Sequence, residues 1–401
     1  MPIRYMGTKR IIADHVRRLI ADLSPNGPVL DLFSGIGCVA EILSTVAPIH
    51  TNDALSFTAV LARARFKGAR ERTAKQLIDT LRPVYRETVE DEARLNRGRL
   101  RDEQRAIDLG REALYQYMTE AEHIVNSSSV QVDAANAANT AGRERYRLVR
   151  YYFSAGYFSL RQAIHLDALR YAIDKTDLSE GDRDWALASW LSLAGRILNA
   201  PGHTAQYLKP NTDQAYKRIR RLWMRSIWEI FQDELIEMRL VGTETWRRGN
   251  RVQVGDALAL LHSENLEGTA AVYADPPYTK DQYSRYYHVY ETMYRYDFPA
   301  AEGQGRARSD RFTSVFCLKS QVANSFIDLF SSVASLGMPL VLSYPSDGLL
   351  TKTDNSITEI GGKYMRLKTI ESFGANHSTL GASKGLTTKS ATENLYVYLP
   401  S

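Results

Sequence analysis

Four consecutive residues, Asp275-Pro276-Pro277-Tyr278, stand inside the run YADPPYTKDQY at 273–283. Two prolines remove two backbone donors and fix two φ angles. The apolar run AAVYA before them reads as a buried strand. Asp275 is therefore delivered at a strand end, and a stiff loop follows. A carboxylate and an aromatic ring in such a loop suit a grip on a flat polar ligand. A second constellation is DLFSGIG at 31–37. There a strand runs into a turn with Gly35 and Gly37, and a helix begins. Glycine lets a ligand approach the backbone, and a helix N-terminus offers free N–H groups. Sixteen residues after Gly37, Asp53 stands at the tip of the next strand. In nucleotide-binding sheets an acid there accepts hydrogen bonds from ribose hydroxyls. Ala40 occupies the third glycine place of the dinucleotide fingerprint, so no pyrophosphate is implied. Taken alone, this turn also reads as a generic tight turn of a sheet protein.

The elements that must position these residues fall into an α/β pattern at both ends of the chain. A helical pattern covers TKRIIADHVRRLIADL. PVLDLF and PIHTND read as strands, each followed by a helix. Strand–helix–strand–helix order means a parallel, right-handed, doubly wound sheet. The pattern resumes near Arg251 with the strand RVQV, the helical turn DALALLH and AAVYADPPY. A helix over Ser320–Leu336, the strand PLVLSY and the β-like segments YMRLKTI and ENLYVYL come later. Between them, helical patterns dominate: Arg111–Ile124, Arg143–Ser154, Tyr157–Ile173, Trp185–Leu198 and Gln214–Glu237. The polar stretch NSSSVQVDAANAANTAG at 126–142 interrupts them and reads as a loop. The expected organisation is a sheet domain over 1–67 and 251–401, with a helical domain inserted at 68–250.

Composition narrows the function classes. The chain has 401 residues, 44% hydrophobic and 24% charged, with net charge +5 and pI near 9.0. Those are ordinary values for a soluble globular protein, and the mild basicity is compatible with a nucleic-acid partner. Two cysteines, Cys38 and Cys317, exclude a disulfide framework and a four-cysteine zinc site. No ligand cluster suggests a metal. No apolar run reaches the ~18–20 residues of a membrane span, and the first residues lack the apolar core of a signal peptide. A cytoplasmic location is the expectation.

The DPPY unit and DLFSGIG together resemble the alpha-group, Dam-like DNA adenine methyltransferases. RYMGTKR at 4–10 is similar to the amino-terminal motif of that family, and GDALALL at 255–261 to the short motif before DPPY. DPPYTKDQYSRYYHVYETM at 275–293 looks like theirs over nearly every position. PGHTAQYLKP (201–210) and HSTLGASKG (377–385) are similar too. The order of amino-terminal motif, glycine loop, helical insert and DPPY is that of the alpha group. The resemblance covers both ends well and the insert only patchily.

That resemblance implies a Rossmann-like core that methylates the 6-amino group of adenine in double-stranded DNA. The base is flipped out of the stack at a cost of a few kcal/mol. The chemistry has a physical logic. The amino lone pair is delocalised into the ring, so the nitrogen is a poor nucleophile. A carboxylate and a backbone carbonyl accepting its two N–H groups pull it towards tetrahedral geometry and stabilise the developing positive charge. Asp275 would supply the carboxylate, Pro276 and Pro277 the rigid backbone, and Tyr278 a stacking face. The cofactor implied is S-adenosylmethionine. Tyr5, Met6, Gly7 and Lys9 would hold its carboxylate, and Asp31, Phe33, Gly35 and Gly37 would surround its methionine part. Asp53 would take the ribose hydroxyls and Asp256 the amino group of its adenine. Lys9 reads equally as a solvated lysine, and Asp256 as the N-cap of the helix ALALLH. Tyr283 and Tyr287 suit a cleft for a flipped base, whereas His288 reads as a packing residue. The resemblance also implies association with a restriction or defence partner.

DLFSGIG also opens the cytosine C5-methyltransferases, which need a nucleophilic cysteine after a proline. Here Cys38 follows Gly37 and Cys317 follows Phe316, so that reading fails. Methylation of the cytosine 4-amino group, methylation of an RNA base, and a catalytically silent DNA-binding relative stay open. Asp275 and the motif order favour adenine. In the insert, KPNTDQAYKRIRRLWMR at 209–225 carries the clearest nucleic-acid signal. Lys217, Arg220 and Arg221 share one helical face. A solvated helix face is the competing reading.

Overall fold

The computed structural model describes Ile3 and residues 12–125, 135–140, 142–263, 266–378 and 388–401. Along the chain come α1 (Ala13–Asp22), β1 (Val29–Asp31), α2 (Cys38–Ile42), β2 (Ile49–Asp53) and α3 (Ser56–Ala62). Among the described residues there follow α4 (Ala74–Leu95), α5 (Arg97–Leu109), α6 (Arg111–Val125), α7 (Leu148–Phe153), α8 (Leu160–Lys175), α9 (Glu180–Ile197), α10 (Asp213–Trp223), α11 (Ile227–Glu237) and α12 (Glu244–Arg248). Then come β3 (Arg251–Val254), α13 (Ala257–Leu261), β4 (Ala271–Ala274), α14 (Tyr283–Tyr286), α15 (His288–Arg295) and the short strands β5 (Ala301–Glu302) and β6 (Ala307–Arg308). The chain closes with α16 (Val322–Ser335), β7 (Leu340–Pro345), α17 (Ile357–Gly361), β8 (Arg366–Ser378) and β9 (Thr388–Leu399).

Among the described residues, seven strands form one sheet in the order β3-β2-β1-β4-β7-β9-β8. The first five pair in parallel, and β9 runs antiparallel to both neighbours. The expected α/β, Rossmann-like methyltransferase fold is thus present. The chain winds outward from β1 in one direction to β2 and β3, and in the other to β4 and β7. Beside β1 lies a topological switch point, where open α/β sheets bind ligands at their strand C-termini. Both faces of the sheet are covered, so β1 and β4 are buried throughout. Leu30, Val272, Leu340 and Phe326 pack on one face. Val29, Ile49, Ala271, Val341 and Val397 pack on the other, against Val16 and Ile20 of α1. Near-continuous apolar runs are what a doubly covered parallel sheet requires.

Two compact units emerge from the contacts within the chain. The sheet unit takes the described residues from Ile12 to Gly68, with Leu240–Arg285 and Phe312–Ser401. The helical unit takes Ala69–Arg239 with Tyr286–Arg311. Residues 286–311 therefore join the helices, although they lie beyond residue 250. Arg170 donates to the carbonyls of Met293 and Tyr294 at 3.0 and 2.9 Å, and the Tyr296 hydroxyl donates to Asp167. The helices of this unit begin where the sequence supplies caps. Thr73 with Gln76 and Ser159 with Gln162 form capping boxes at α4 and α8. The single helix expected over Gln214–Glu237 is two, because Ser226 caps a new start for α11. No helix among the described residues is long and apolar enough to cross a membrane.

Candidate active site

An open cleft in the sheet unit lies at the C-terminal ends of β1, β2 and β4. Asp31 ends β1 and pairs in register with Tyr273 of β4. Two residues further on, Asp275 enters the cleft wall, with Asp53 from β2 and Asp256 from the start of α13. Four carboxylates thus line one cavity, and no Lys, Arg or His does so among the described residues. Asp31 is 1% exposed. Neither of its oxygens has a hydrogen-bond partner of normal geometry among those residues. Burial pushes its carboxyl well above the usual range. The nearby Asp275 and Asp53 push it further, and the Phe33 amide offsets this only in part. Such an acceptor-rich, cation-free cavity favours a ligand that carries positive charge and hydrogen-bond donors.

Asp53 does two things at once. Its Oδ2 accepts from the Gly35 N–H and its Oδ1 from the Leu55 N–H, each at 2.9 Å. One carboxylate therefore ties the glycine turn to the strand that carries it, while still facing the cleft. The two glycines differ. Gly35, at φ +50°, lines the cavity. Gly37 does not; it sits at φ +79° as the N-cap of α2, and a Cβ there would stand 2.3 Å from the Phe66 ring. Its glycine is required by the turn and by Phe66 and not by approach of a ligand, which corrects the expectation that it lines the methionine site.

The DPPY loop is held from behind. The Tyr278 carbonyl accepts from the Leu349 N–H at 2.8 Å, and the Tyr278 ring packs on the core beneath the sheet. Asp275, Pro276, Pro277 and Tyr278 all line the cavity, as do Phe33 and Tyr283. The Phe33 ring meets Phe316 edge-on at 5.4 Å. Asp256 serves as the N-cap of α13, its Oδ1 accepting from Leu258 and Ala259 at 3.0 and 2.9 Å. It also lines the cavity, so the cap and ligand readings of this residue are compatible.

Sequence reasoning missed several residues here. Asn52 is buried and donates to the Leu32 and Gly255 carbonyls, both at 3.2 Å, joining the ends of β1 and β3. The Gln282 side chain donates to the Ser314 carbonyl and accepts from the Ser314 N–H, at 3.1 and 2.8 Å. Ser284 donates to the Phe312 carbonyl at 2.6 Å. Together they draw residues 312–316 to the cleft, where Phe312, Ser314 and Phe316 form part of its wall. The only signal in the sequence was the polar pair Gln282 and Ser284 just after DPPY. Tyr287 does not join this wall. It is fully buried and offers no face to a base, which corrects its reading as a nucleic-acid contact. His288 is equally buried and donates to the Thr204 carbonyl at 2.7 Å, the packing role expected of it. In the helical unit, Lys217, Arg220 and Arg221 are exposed on α10. Tyr5, Met6, Gly7 and Lys9 lie outside the described residues, as does most of the 377–385 segment. No cluster suited to a metal ion occurs among the described residues.

Comparison with known proteins agrees with this geometry. Residues 150–337, which include DPPY but not the glycine turn, match the family described as D12 class N6 adenine-specific DNA methyltransferase. Modification methylase LlaI of Lactococcus lactis subsp. lactis is 23% identical over 336 residues, 82% of this chain and 44% of that protein. Type II methyltransferase M.FokI of Planomicrobium okeanokoites is 23% identical over 359 residues, 88% of this chain and 46% of that protein. Type II methyltransferase M.NlaIII of Neisseria lactamica is 27% identical over 218 residues, 53% of this chain and 58% of that protein. The chain spans about half the length of these curated relatives. Over residues 150–337 the chain is thus similar in sequence to the D12 class N6 adenine-specific DNA methyltransferases.

Proposed function

We propose that the chain transfers a methyl group from S-adenosylmethionine to the 6-amino group of adenine in duplex DNA, in a restriction-modification setting. The observation that carries this reading is Asp275 at the end of β4, in a rigid loop beside a cleft that acids line and no cation lines among the described residues. The donor set suits the cofactor, which brings an ammonium and a sulfonium. The buried Asp31 oxygens, with no hydrogen-bond partner of normal geometry among the described residues, would face its positive methionine end, Asp53 the ribose and Asp256 the adenine. Lys9, with Tyr5, Met6 and Gly7, would hold the carboxylate.

When bound, the cofactor supplies an electrophilic methyl group. The chain's own residues prepare the nucleophile. Asp275 accepts one N–H of the target amine and concentrates the lone pair on nitrogen. As the new N–C bond forms, the nitrogen becomes positive, and the same carboxylate stabilises it until a proton leaves. Tyr278 and Tyr283 offer aromatic faces for an extrahelical base. The described pocket residues bring acids and no cation, and Lys217, Arg220 and Arg221 on α10 would supply affinity for the duplex backbone.

Methyl transfer from labelled S-adenosylmethionine to plasmid DNA, followed by base analysis of the product, tests this reading. Asp275→Ala should lower turnover by about 10²–10³-fold, or ~2.7–4 kcal/mol. Cofactor affinity by calorimetry should stay within a few-fold. Activity above about a tenth of wild type would sink the assignment. A methylated cytosine in the product would overturn the choice of base.

A further inference from the structure

We infer that the solvent face of α5 is a second phosphate-binding surface, on a helix tied at its C-terminal end to α10. The inference rests on the duplex-DNA reading above. Arg97, Arg101 and Arg105 stand at i, i+4 and i+8 of α5 and are all exposed. The opposite side of that helix is buried through Glu103, Ala106 and Ile107. None of the three arginines has a hydrogen bond or ion pair among the described residues. The acid on the same stripe, Asp108, accepts instead from Gln104 at 3.0 Å on both oxygens. Like charges at i, i+4 destabilise a helix by about 0.2–0.5 kcal/mol per pair. These like-charge pairs therefore cost the helix, and an anionic partner would reverse their sign.

The two helices are joined. Tyr216 of α10 donates its hydroxyl to the Ile107 carbonyl of α5 at 2.7 Å. Arg111, just beyond α5, pairs with Asp213 at the start of α10 at 3.1 Å. Lys217 and Arg220 follow Tyr216 on the exposed side of α10, with Arg221 beside them. None of these three has an ion pair among the described residues either. Both stripes thus belong to one region of the helical unit. At 1.5 Å per residue, Arg97 to Arg105 spans about 12 Å. One strand of B-DNA places a phosphate every ~3.4 Å of axis, so three to four lie within that reach. Unpaired guanidinium groups at this pitch suit the duplex backbone and carry no sequence information.

Fluorescence anisotropy with a short duplex, at several salt concentrations and with the full chain, tests the inference. Arg97→Ala/Arg101→Ala/Arg105→Ala should weaken binding to every duplex alike. The slope of log affinity against log salt should flatten by up to ~2.7, about 0.9 per lost contact. The matching Lys variant should keep the wild-type slope and melting temperature, and the alanine triple should melt no lower than wild type, since these side chains make no hydrogen bond or ion pair among the described residues. Combining the triple with Lys217→Ala/Arg220→Ala/Arg221→Ala should flatten the slope further. An unchanged slope in the α5 triple overturns the inference, as does an affinity loss with no change in slope. Methyl transfer is scored separately. A wild-type protein that binds duplex but transfers no methyl group fails the enzymatic reading and leaves the slope test intact.

Discussion

Replacing Asp53 by alanine should damage the protein twice, in two separable measurements. In the ligand-free protein the carboxylate holds the Gly35 and Leu55 N–H groups, each at 2.9 Å. Hydrogen bonds to a charged group contribute about 1.5–3 kcal/mol each. Asp53 is only partly buried, so the lower end applies and the loss should be about 3 kcal/mol. For a unit of this size that is a fall in Tm of roughly 6–12 °C. Asparagine should rescue only in part, because its amide oxygen can serve one N–H while its NH₂ faces the other. Cofactor affinity should fall as well, through the loss of the ribose acceptor, by about 10- to 150-fold for 1.5–3 kcal/mol. Thermal denaturation without ligand reads the first effect, and calorimetry with S-adenosylmethionine below the melting range reads the second. A ligand-free Tm within about 1 °C of wild type would refute the structural role. A fallen Tm with unchanged affinity would refute the ribose contact and leave the tie to the glycine turn standing.

Gly37→Ala forces a left-handed residue to carry a Cβ that meets the buried Phe66 ring at 2.3 Å. Strain of ~1–2 kcal/mol and overpacking of ~1–3 kcal/mol predict a loss of about 2–5 kcal/mol by denaturant titration, and a loss below 1 would contradict this account. His165 shares a 2.6 Å hydrogen bond with the Tyr85 hydroxyl, and burial lowers its pKa to about 4. The unfolded chain, with a His pKa near 6.5, binds the proton first as pH falls. Stability is then complete above about pH 6.5 and is lost towards pH 4, by about 2 kcal/mol at pH 5. His165→Gln should flatten the wild-type Tm profile between pH 7 and 5. Asp167, raised by burial to about 7, acts in the opposite sense in both proteins and cancels in the difference; parallel profiles would count against the His165 account. Lys217→Ala/Arg220→Ala/Arg221→Ala should weaken duplex binding and flatten its salt slope by up to ~2.7. Cofactor affinity should stay unchanged, and an unaltered slope would return α10 to the role of a solvated face.

What the chain declares on its own is local. Asp275, Asp53 and Asp256 are legible because each follows or ends an apolar strand, or caps a helix, within a few residues of recognisable turn chemistry. The parallel sheet follows from the alternation of short apolar runs with helical periods. What only the tertiary structure decided depends on segments far apart in the chain. Asn52 matters because the ends of β1 and β3 converge on it from 20 and 203 residues away. Gln282 and Ser284 form part of the site because they bind backbone about 30 residues later. Tyr287 suited a cleft as one of several tyrosines after DPPY, yet it is buried and belongs with residues 286–311 to the helical unit. The high pKa of Asp31 is invisible in DLFSGIG, since it arises from burial and from two carboxylates delivered by other strands. Periodicity and turn residues report on neighbours within a few positions. Desolvation, charge coupling and side-chain bridges depend on which distant strands the sheet order brings together.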